Sequence, residues 1–134
     1  MTNELVFTTY YIYDNIEIFE QMIEEANTIW KKTFDNSYEK GMCPFPYLII
    51  GRINNQIVCT CIFESSSKDN TKISCVASYP QNKGYGTKLM KYVINYIKNN
   101  VSDNDIIIYI DNDKLDKLSN FYKKFGFEFL YNDE

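Results

Sequence analysis

The chain contains no histidine, a single arginine (Arg52) and a single tryptophan (Trp30) among its 134 residues. Without histidine, the usual general base at neutral pH and the commonest metal ligand are both missing. With one arginine and a formal net charge of −4, the chain has no basic face that would neutralise a nucleic-acid backbone. These shortages argue against zinc chemistry and against nucleic-acid binding.

Long apolar runs are also absent, because no stretch approaches the roughly 18 consecutive apolar residues that a transmembrane helix needs. The segment Met1-Thr2-Asn3-Glu4 lacks the basic region and the apolar run of a secretory signal. We therefore expect no membrane association and a cytoplasmic location.

Cysteine is present but sparse, with four residues at positions 43, 59, 61 and 75. In a reducing compartment these residues remain thiols. Cys59 and Cys61 share one face of a predicted strand, where we interpret them as small core residues in preference to a metal site. We predict no bound metal.

Aromatic side chains are abundant, with twelve tyrosines and nine phenylalanines. A chain of this length can bury about two thirds of its unfolded surface in one core. We therefore predict a single domain spanning residues 1–134. The negative net charge also suits a cationic substrate such as an amine.

Apolar periodicity predicts the order strand, helix, three strands, helix, strand, helix, strand. The predicted strands cover residues 5–11, 47–53, 56–64, 72–78, 106–110 and 127–131. A tight hairpin turn is expected at Asn54-Asn55, because asparagine accepts the positive φ that such a turn needs. The fold class is α/β, with a single mixed, mostly antiparallel sheet flanked by helices.

The helices have start and stop signals. Asp14 or Asn15 can cap the first, and Gly126 is placed to end the last in a left-handed conformation. Residues 33–46 are polar and broken, and we interpret them as a loop or a loose second helix.

The segment 76–90 is the most informative, because an apolar strand runs through a glycine turn directly into an amphipathic helix. Such a turn aims free backbone N–H groups and the helix dipole at one place, which favours phosphate. Gly84 and Gly86 lack the Cβ atoms that would hold a ligand away from the main chain. Lys83 and Lys88 add positive charge. The alternative is that the glycines serve backbone geometry only.

Two familiar phosphate-binding motifs fail on spacing. The nucleotide P-loop needs a glycine, four residues and then Gly-Lys-Ser/Thr, which occurs nowhere in the chain. The dinucleotide fingerprint needs a third glycine at the position of Leu89. Neither motif is present in this chain.

Gln81-x-x-Gly84-x-Gly86 resembles the (Arg/Gln)-x-x-Gly-x-(Gly/Ala) signature of the Gcn5-related N-acetyltransferase (GNAT) superfamily. Residues 120–127, Asn-Phe-Tyr-Lys-Lys-Phe-Gly-Phe, resemble that family's closing Phe/Leu-Tyr-x-x-x-Gly-Phe segment. The resemblance implies the GNAT fold over almost the whole chain. It also implies an acetyl-CoA-dependent N-acetyltransferase, in which a primary amine attacks the thioester directly.

The resemblance further implies which residues bind acetyl-CoA. Main-chain groups of Val76, Ala77 and Ser78 would contact the pantetheine arm. The pyrophosphate would lie on the turn amides of Gln81, Asn82, Lys83, Gly84, Tyr85, Gly86 and Thr87. The strand 106–110 would splay from its neighbour and leave a slot for the thioester.

Three side chains are candidates for the chemistry. Tyr122 matches the tyrosine that, in many members, protonates the departing CoA thiolate, although a helix-stripe aromatic can also be plain core. A backbone N–H near Val76 would polarise the thioester carbonyl. With no histidine to deprotonate the amine, Glu64 and Asp111 are the candidate bases, and each can also be interpreted as a solvated loop acid.

The chain departs from the family pattern at three points. Leu115 stands where many members have an asparagine that contacts the cofactor, and Gln81 stands where many have arginine. Many members also add a last strand, so we expect the acceptor side to be open or completed by a second subunit in a homodimer. The acceptor would be a small-molecule or protein amine. The alternative function is a catalytically silent CoA-binding or protein-interaction module.

Overall fold

The structure, a computed structural model, describes residues 4–34, 38–39, 41–65, 70–81, 83–108 and 115–127. Five strands and three helices lie within these ranges: β1 Leu5–Tyr11, α1 Ile16–Phe34, β2 Tyr47–Ile53, β3 Gln56–Ser65, β4 Thr71–Ser78, α2 Tyr85–Asn100, β5 Ile106–Ile108 and α3 Leu115–Lys123. The predicted order is confirmed up to α3. The last predicted strand lies outside the described residues from position 128 onward.

The strands form one sheet in the order β1-β2-β3-β4-β5. Neighbouring strands are antiparallel except β4 and β5, which run parallel because α2 carries the chain back between them. Asn54 and Asn55 turn the β2–β3 hairpin with φ angles of 51° and 67°. The predicted fold class, a mixed and mostly antiparallel sheet flanked by helices, is confirmed.

Helix α1 covers one face of the sheet. Asn15 caps it, since its Oδ1 accepts a hydrogen bond from the amide of Ile18 at 3.1 Å. The buried stripe of α1 packs on apolar residues of β2, β3 and β4: Phe19, Ile23, Ala26, Ile29 and Trp30 against Leu48, Ile50, Ile62 and Ala77.

Helices α2 and α3 cover the opposite face. Their buried residues pack on the other side chains of the same strands: Leu89, Met90, Val93, Ile97 and Tyr122 against Ile49, Cys59, Cys61, Phe63 and Ile73. Cys59 and Cys61 are therefore core thiols on one face, as predicted. Gly126, with φ at 93°, ends α3 in the left-handed conformation.

The segment between α1 and β2 is described at residues 38–39 and 41–46, none of which is helical. The main chain of Tyr38 lies on α1. Its amide donates to Oδ1 of Asn27 at 2.9 Å, and its carbonyl accepts from Nδ2 of the same side chain at 2.8 Å. None of the described helices is long and apolar enough to cross a bilayer.

Candidate functional site

The site lies where β4 parts from β5. The two strands pair only between Thr71–Ile73 and Ile106–Ile108. Among the described residues, the second half of β4 (74–78) has no strand beside it on the β5 side. The strand predicted at 106–110 is described only as far as Ile108, so its predicted splay falls partly outside the described residues.

A β-bulge interrupts β4 at the same point. Ile62 pairs with Ser74 and Thr60 pairs with Ala77, so the single residue Cys61 stands opposite both Cys75 and Val76. A bulge of two residues against one turns the bulged strand out of the regular ladder. The extra residue also changes which side chains of β4 face α1. As a result, Cys75 packs with the core cluster that contains the buried residues of α1.

Cys75 has a φ of 55°, in the left-handed region. For a residue other than glycine, this conformation costs on the order of 1–3 kcal/mol and persists only where the surrounding structure enforces it. Two contacts from the α1 side hold it. The indole Nε1 of Trp30 donates to the carbonyl of Cys75 at 2.8 Å, and the hydroxyl of Tyr38 lies 3.2 Å from its Sγ.

After β4, the chain turns through Gly84 into α2. Gly84 has φ at 79° and its carbonyl accepts from the amide of Lys88 at 3.2 Å, which is the first hydrogen bond of the helix. The N-cap residue, Gly84, has no side chain to cap this end, and no acidic residue lies in the first turn. Within the described part of the chain, the amides of Tyr85, Gly86 and Thr87 have no hydrogen-bond partner. Open amides at a positive dipole end favour an anion.

The two glycines of the turn serve different purposes. A Cβ at Gly84 would meet nothing within 4 Å, so the space over this position is open while its positive φ disfavours other residues. A Cβ at Gly86 would lie 3.4 Å from the ring of Phe121 and 3.8 Å from Oγ of Ser78. Gly84 therefore keeps the turn open, whereas a Cβ at Gly86 would make ordinary van der Waals contacts with α3 and β4.

Lys124 brings a positive charge to this turn that the sequence analysis does not assign. Its Nζ donates to Oγ1 of Thr87 at 3.1 Å and lies 4.7 Å from the centre of the Phe121 ring. Lys83 and Lys88, the cations assigned from sequence, are both exposed. The signal that could have identified Lys124 is its place inside the 120–127 match, since that segment packs against the turn.

Tyr122 lies on the α2 side of the sheet and is only 4% exposed. Burial, and to a smaller extent the thiol of Cys61, raise the pKa of its phenol to about 12. Tyr122 packs in the same core cluster as Cys61, which stands opposite the bulge in β4. The phenol therefore stays protonated at neutral pH, as a proton donor must.

The other predicted residues are placed as follows. Val76 and Ser78 are half-buried and Ala77 is buried, while Gln81 is exposed. Glu64 is half-buried in β3, where it pairs with Lys72 at the end of the sheet away from the turn. Glu64 lies three positions after Cys61, which is about 10 Å along a strand. Asn82 and Asp111 lie outside the described residues.

A cavity of about 270 Å³ opens beside the glycine turn. It lies between α1, the β2–β3 hairpin and the residues on either side of the turn, Tyr79, Pro80 and Tyr85. Lys32 and Tyr79 both line this cavity, and the ammonium of Lys32 lies 4.7 Å from the centre of the Tyr79 ring.

Residues 46–129 match the family model described as the acetyltransferase (GNAT) domain. The match covers more than half of the chain, so this protein belongs to the GNAT family of acetyltransferases. Membership implies acyl transfer from acetyl-CoA, and it confirms the resemblance drawn from Gln81–Gly86 and residues 120–127. No curated protein sequence matches the chain significantly.

Solved structures show the same fold at low sequence identity. The chain is similar to Ard1 from Thermoplasma volcanium, with 17% identity, a TM-score of 0.70, and coverage of 95% of this chain and 84% of that one. ElaA from Escherichia coli gives 14% identity and a TM-score of 0.70, over 98% of this chain and 94% of that one. An aminoglycoside acetyltransferase from an uncultured soil metagenomic sample, in complex with sisomicin, gives 14% identity and a TM-score of 0.65, over 97% of each chain.

Proposed function

We propose that this protein is an acetyl-CoA-dependent N-acetyltransferase in which the acceptor amine attacks the thioester directly. The observation that carries the proposal is the row of open amides at the first turn of α2, next to a strand that is bulged and unpaired on its β5 side. Acetyl-CoA supplies the acetyl group already activated as a thioester.

The first turn of α2 binds the pyrophosphate. The amides of Tyr85, Gly86 and Thr87 donate to the phosphate oxygens, and the open space over Gly84 lets the ligand approach the main chain. Lys124, held against Thr87, supplies part of the positive charge that other members obtain from arginine at the position of Gln81. The main chain of β4 from Val76 to Ser78 faces the pantetheine arm.

The bulge and Tyr122 then act on the reacting groups. The amide of Val76 donates to the thioester oxygen as negative charge develops there. The amine nitrogen forms a bond to the acetyl carbon, the carbon–sulfur bond breaks, and the phenol of Tyr122 protonates the departing thiolate. Glu64 or Asp111 takes the proton that the ammonium form of the acceptor must lose, directly or through water.

The acceptor is proposed to be a small amine, because two similar proteins of known structure are aminoglycoside acetyltransferases and aminoglycosides carry several amines. The net charge of −4 favours such cations in solution. A protein amine remains the other class of acceptor to screen.

Steady-state release of free CoA from acetyl-CoA, measured against a panel of polyamines, aminoglycosides and peptide amines, tests the proposal. We expect at least one amine to raise CoA release well above the rate of acetyl-CoA hydrolysis. Calorimetric titration with CoA should show binding to a single site. Absence of CoA binding would refute the assignment of the α2 turn.

A catalytically silent CoA-binding module is the second candidate. It is favoured by the burial of Tyr122, because the phenol is 4% exposed and its pKa of about 12 makes it a weak acid. This candidate predicts CoA binding without turnover by any amine, so the same two measurements separate the two functions.

A further inference from the structure

The conformation of Cys75 is imposed by residues outside β4. Its φ of 55° is unusual for a residue with a side chain, and it sits at the bulge where the proposed chemistry takes place. Such a conformation persists only where the surrounding structure enforces it.

Trp30 is the most constrained of the enforcing residues. Its side chain is 1% exposed, and its Nε1 donates to the carbonyl of Cys75 at 2.8 Å. A buried indole N–H needs an acceptor, so this hydrogen bond is costly to break from either end. Tyr38 adds a second contact at the thiol of Cys75 and stands edge-on to the Trp30 ring, with centroids 5.4 Å apart.

The residues that hold Cys75 and Tyr38 in place lie on one face of α1. Asn27, which binds both main-chain groups of Tyr38, lies three residues before Trp30 and therefore on the same side of α1. Helix α1 thus holds the Tyr38 segment and the β4 bulge together.

The hydrogen bond from Trp30 to the Cys75 carbonyl also fixes the direction of the Val76 N–H, because both groups belong to the same peptide unit. The peptide is planar and trans, so its carbonyl and its N–H point in opposite directions. Because Trp30 holds the Cys75 carbonyl toward α1, the N–H of Val76 points away from α1. That is the side of the sheet on which α2 and Tyr122 pack.

We infer that Trp30 is a positioning residue for acyl transfer: by holding the Cys75 carbonyl, it aims the Val76 amide at the thioester oxygen. The inference rests on the proposed function and adds to it a residue on the far face of the sheet from α2 and Tyr122. Trp30 acts through the Cys75–Val76 peptide and does not touch the substrate.

Trp30→Phe keeps an aromatic ring in the core but removes the N–H donor. We expect kcat to fall by roughly tenfold, a smaller loss than the deletion of an oxyanion donor because the Val76 amide is still present. KM for acetyl-CoA should change by less than about twofold, since the α2 turn is untouched. Tyr38→Phe, which removes only the contact to the thiol, should give a smaller loss of kcat.

Phe19→Leu is the matched control. Phe19 is 1% exposed on the same buried stripe of α1, but it belongs to the early turns of the helix, eleven residues before Trp30. Both variants lose core volume, so both should melt at a lower temperature. An equal loss of kcat in the two variants, assayed well below both melting temperatures, would show that Trp30 acts through stability alone and would overturn the inference.

Amide NMR of the wild type and of Trp30→Phe, titrated with acetyl-CoA, gives a readout independent of turnover. In the wild type, the amides of Val76, Gly86 and Thr87 should all shift; in Trp30→Phe, Gly86 and Thr87 should shift equally while Val76 shifts less. If Val76 responds identically in the wild type and in Trp30→Phe, this inference alone is wrong. If Gly86 and Thr87 shift but Val76 does not shift in the wild type, the proposed role of the Val76 amide is wrong and the inference falls with it. If none of the three shifts, the proposed function is wrong and the inference falls with it.

Discussion

The ammonium of Lys124 lies 3.1 Å from the hydroxyl of Thr87, although 37 positions separate the two residues in the chain. The contact joins the end of α3 to the first turn of α2. The ring of Phe121 lies near both elements, because a Cβ at Gly86 would be 3.4 Å from it and the Lys124 ammonium is 4.7 Å from its centre. The end of α3 therefore contributes a positive charge to the proposed pyrophosphate site, as well as packing.

Replacing Lys124 by alanine should weaken CoA binding. A partly solvated contact between an ammonium and a phosphate contributes about 1 kcal/mol, so we expect a loss of roughly fivefold in the dissociation constant. The loss should shrink as salt is added, because screening weakens the wild-type contact. Calorimetry at two salt concentrations measures both effects. Lys91→Ala removes the same charge from an exposed position further along α2, and its binding should match the wild type.

Replacing Gly84 by valine should abolish measurable CoA binding. The φ of 79° at position 84 disfavours a β-branched residue, and the new side chain would occupy the open space above the turn. Gly41 has nearly the same φ, 77°, at an exposed site outside the turn, so Gly41→Val carries the same backbone strain without blocking the turn. Gly41→Val should lower the melting temperature but leave the CoA dissociation constant unchanged. Equal affinities for the two variants would refute the role of Gly84.

Replacing Tyr122 by phenylalanine should lower kcat by about 100-fold, the usual contribution of a positioned general acid. The dissociation constant of CoA should stay within about twofold, because the ring and its packing remain. Tyr96→Phe removes a hydroxyl from another tyrosine packed against the same core cluster and should leave kcat unchanged. Unchanged turnover in Tyr122→Phe would make its hydroxyl a core group only and would remove Tyr122 from the proposed mechanism.

Local sequence signals predicted the parts of this fold that short-range conformation decides. Asn54 and Asn55 at the hairpin and Gly126 after α3 take the positive φ that the sequence predicts for them. Each signal depends on the residue itself and its immediate neighbours, so no knowledge of distant contacts was needed.

The bulge at Cys75 and the position of Lys124 could not be predicted in this way. Cysteine has no preference for positive φ, and the conformation is enforced by Trp30 and Tyr38, which are 45 and 37 residues away. Lys124 reaches Thr87 only because α3 packs beside the first turn of α2. Both features come from tertiary packing, which sequence spacing alone does not reveal.

Alkaline pH should destabilise the protein through its buried thiols. Burial raises the pKa of the Cys59 thiol from 9.0 to about 12, and burial also raises that of Cys61 well above its usual value. Because these pKa values are raised on folding, the stabilisation is complete below about pH 9 and is lost as pH rises from 9 toward 12. Each such thiol lowers the free energy of unfolding by up to about 1.4 kcal/mol per pH unit in that window.

Urea unfolding of the wild type and of Cys59→Ala, measured between pH 7 and pH 11, tests this account. Cys59→Ala should be less stable at pH 7, because a buried group is lost, but its stability should fall less steeply above pH 9. Val93→Ala truncates another fully buried residue of the same cluster without removing a titrating group. Its free energy of unfolding should be lower than that of the wild type at every pH and should show the same dependence on pH. If the Cys59→Ala curve is also parallel to the wild type, Cys59 ionises as readily in the folded protein as in the unfolded chain, and burial does not govern its titration.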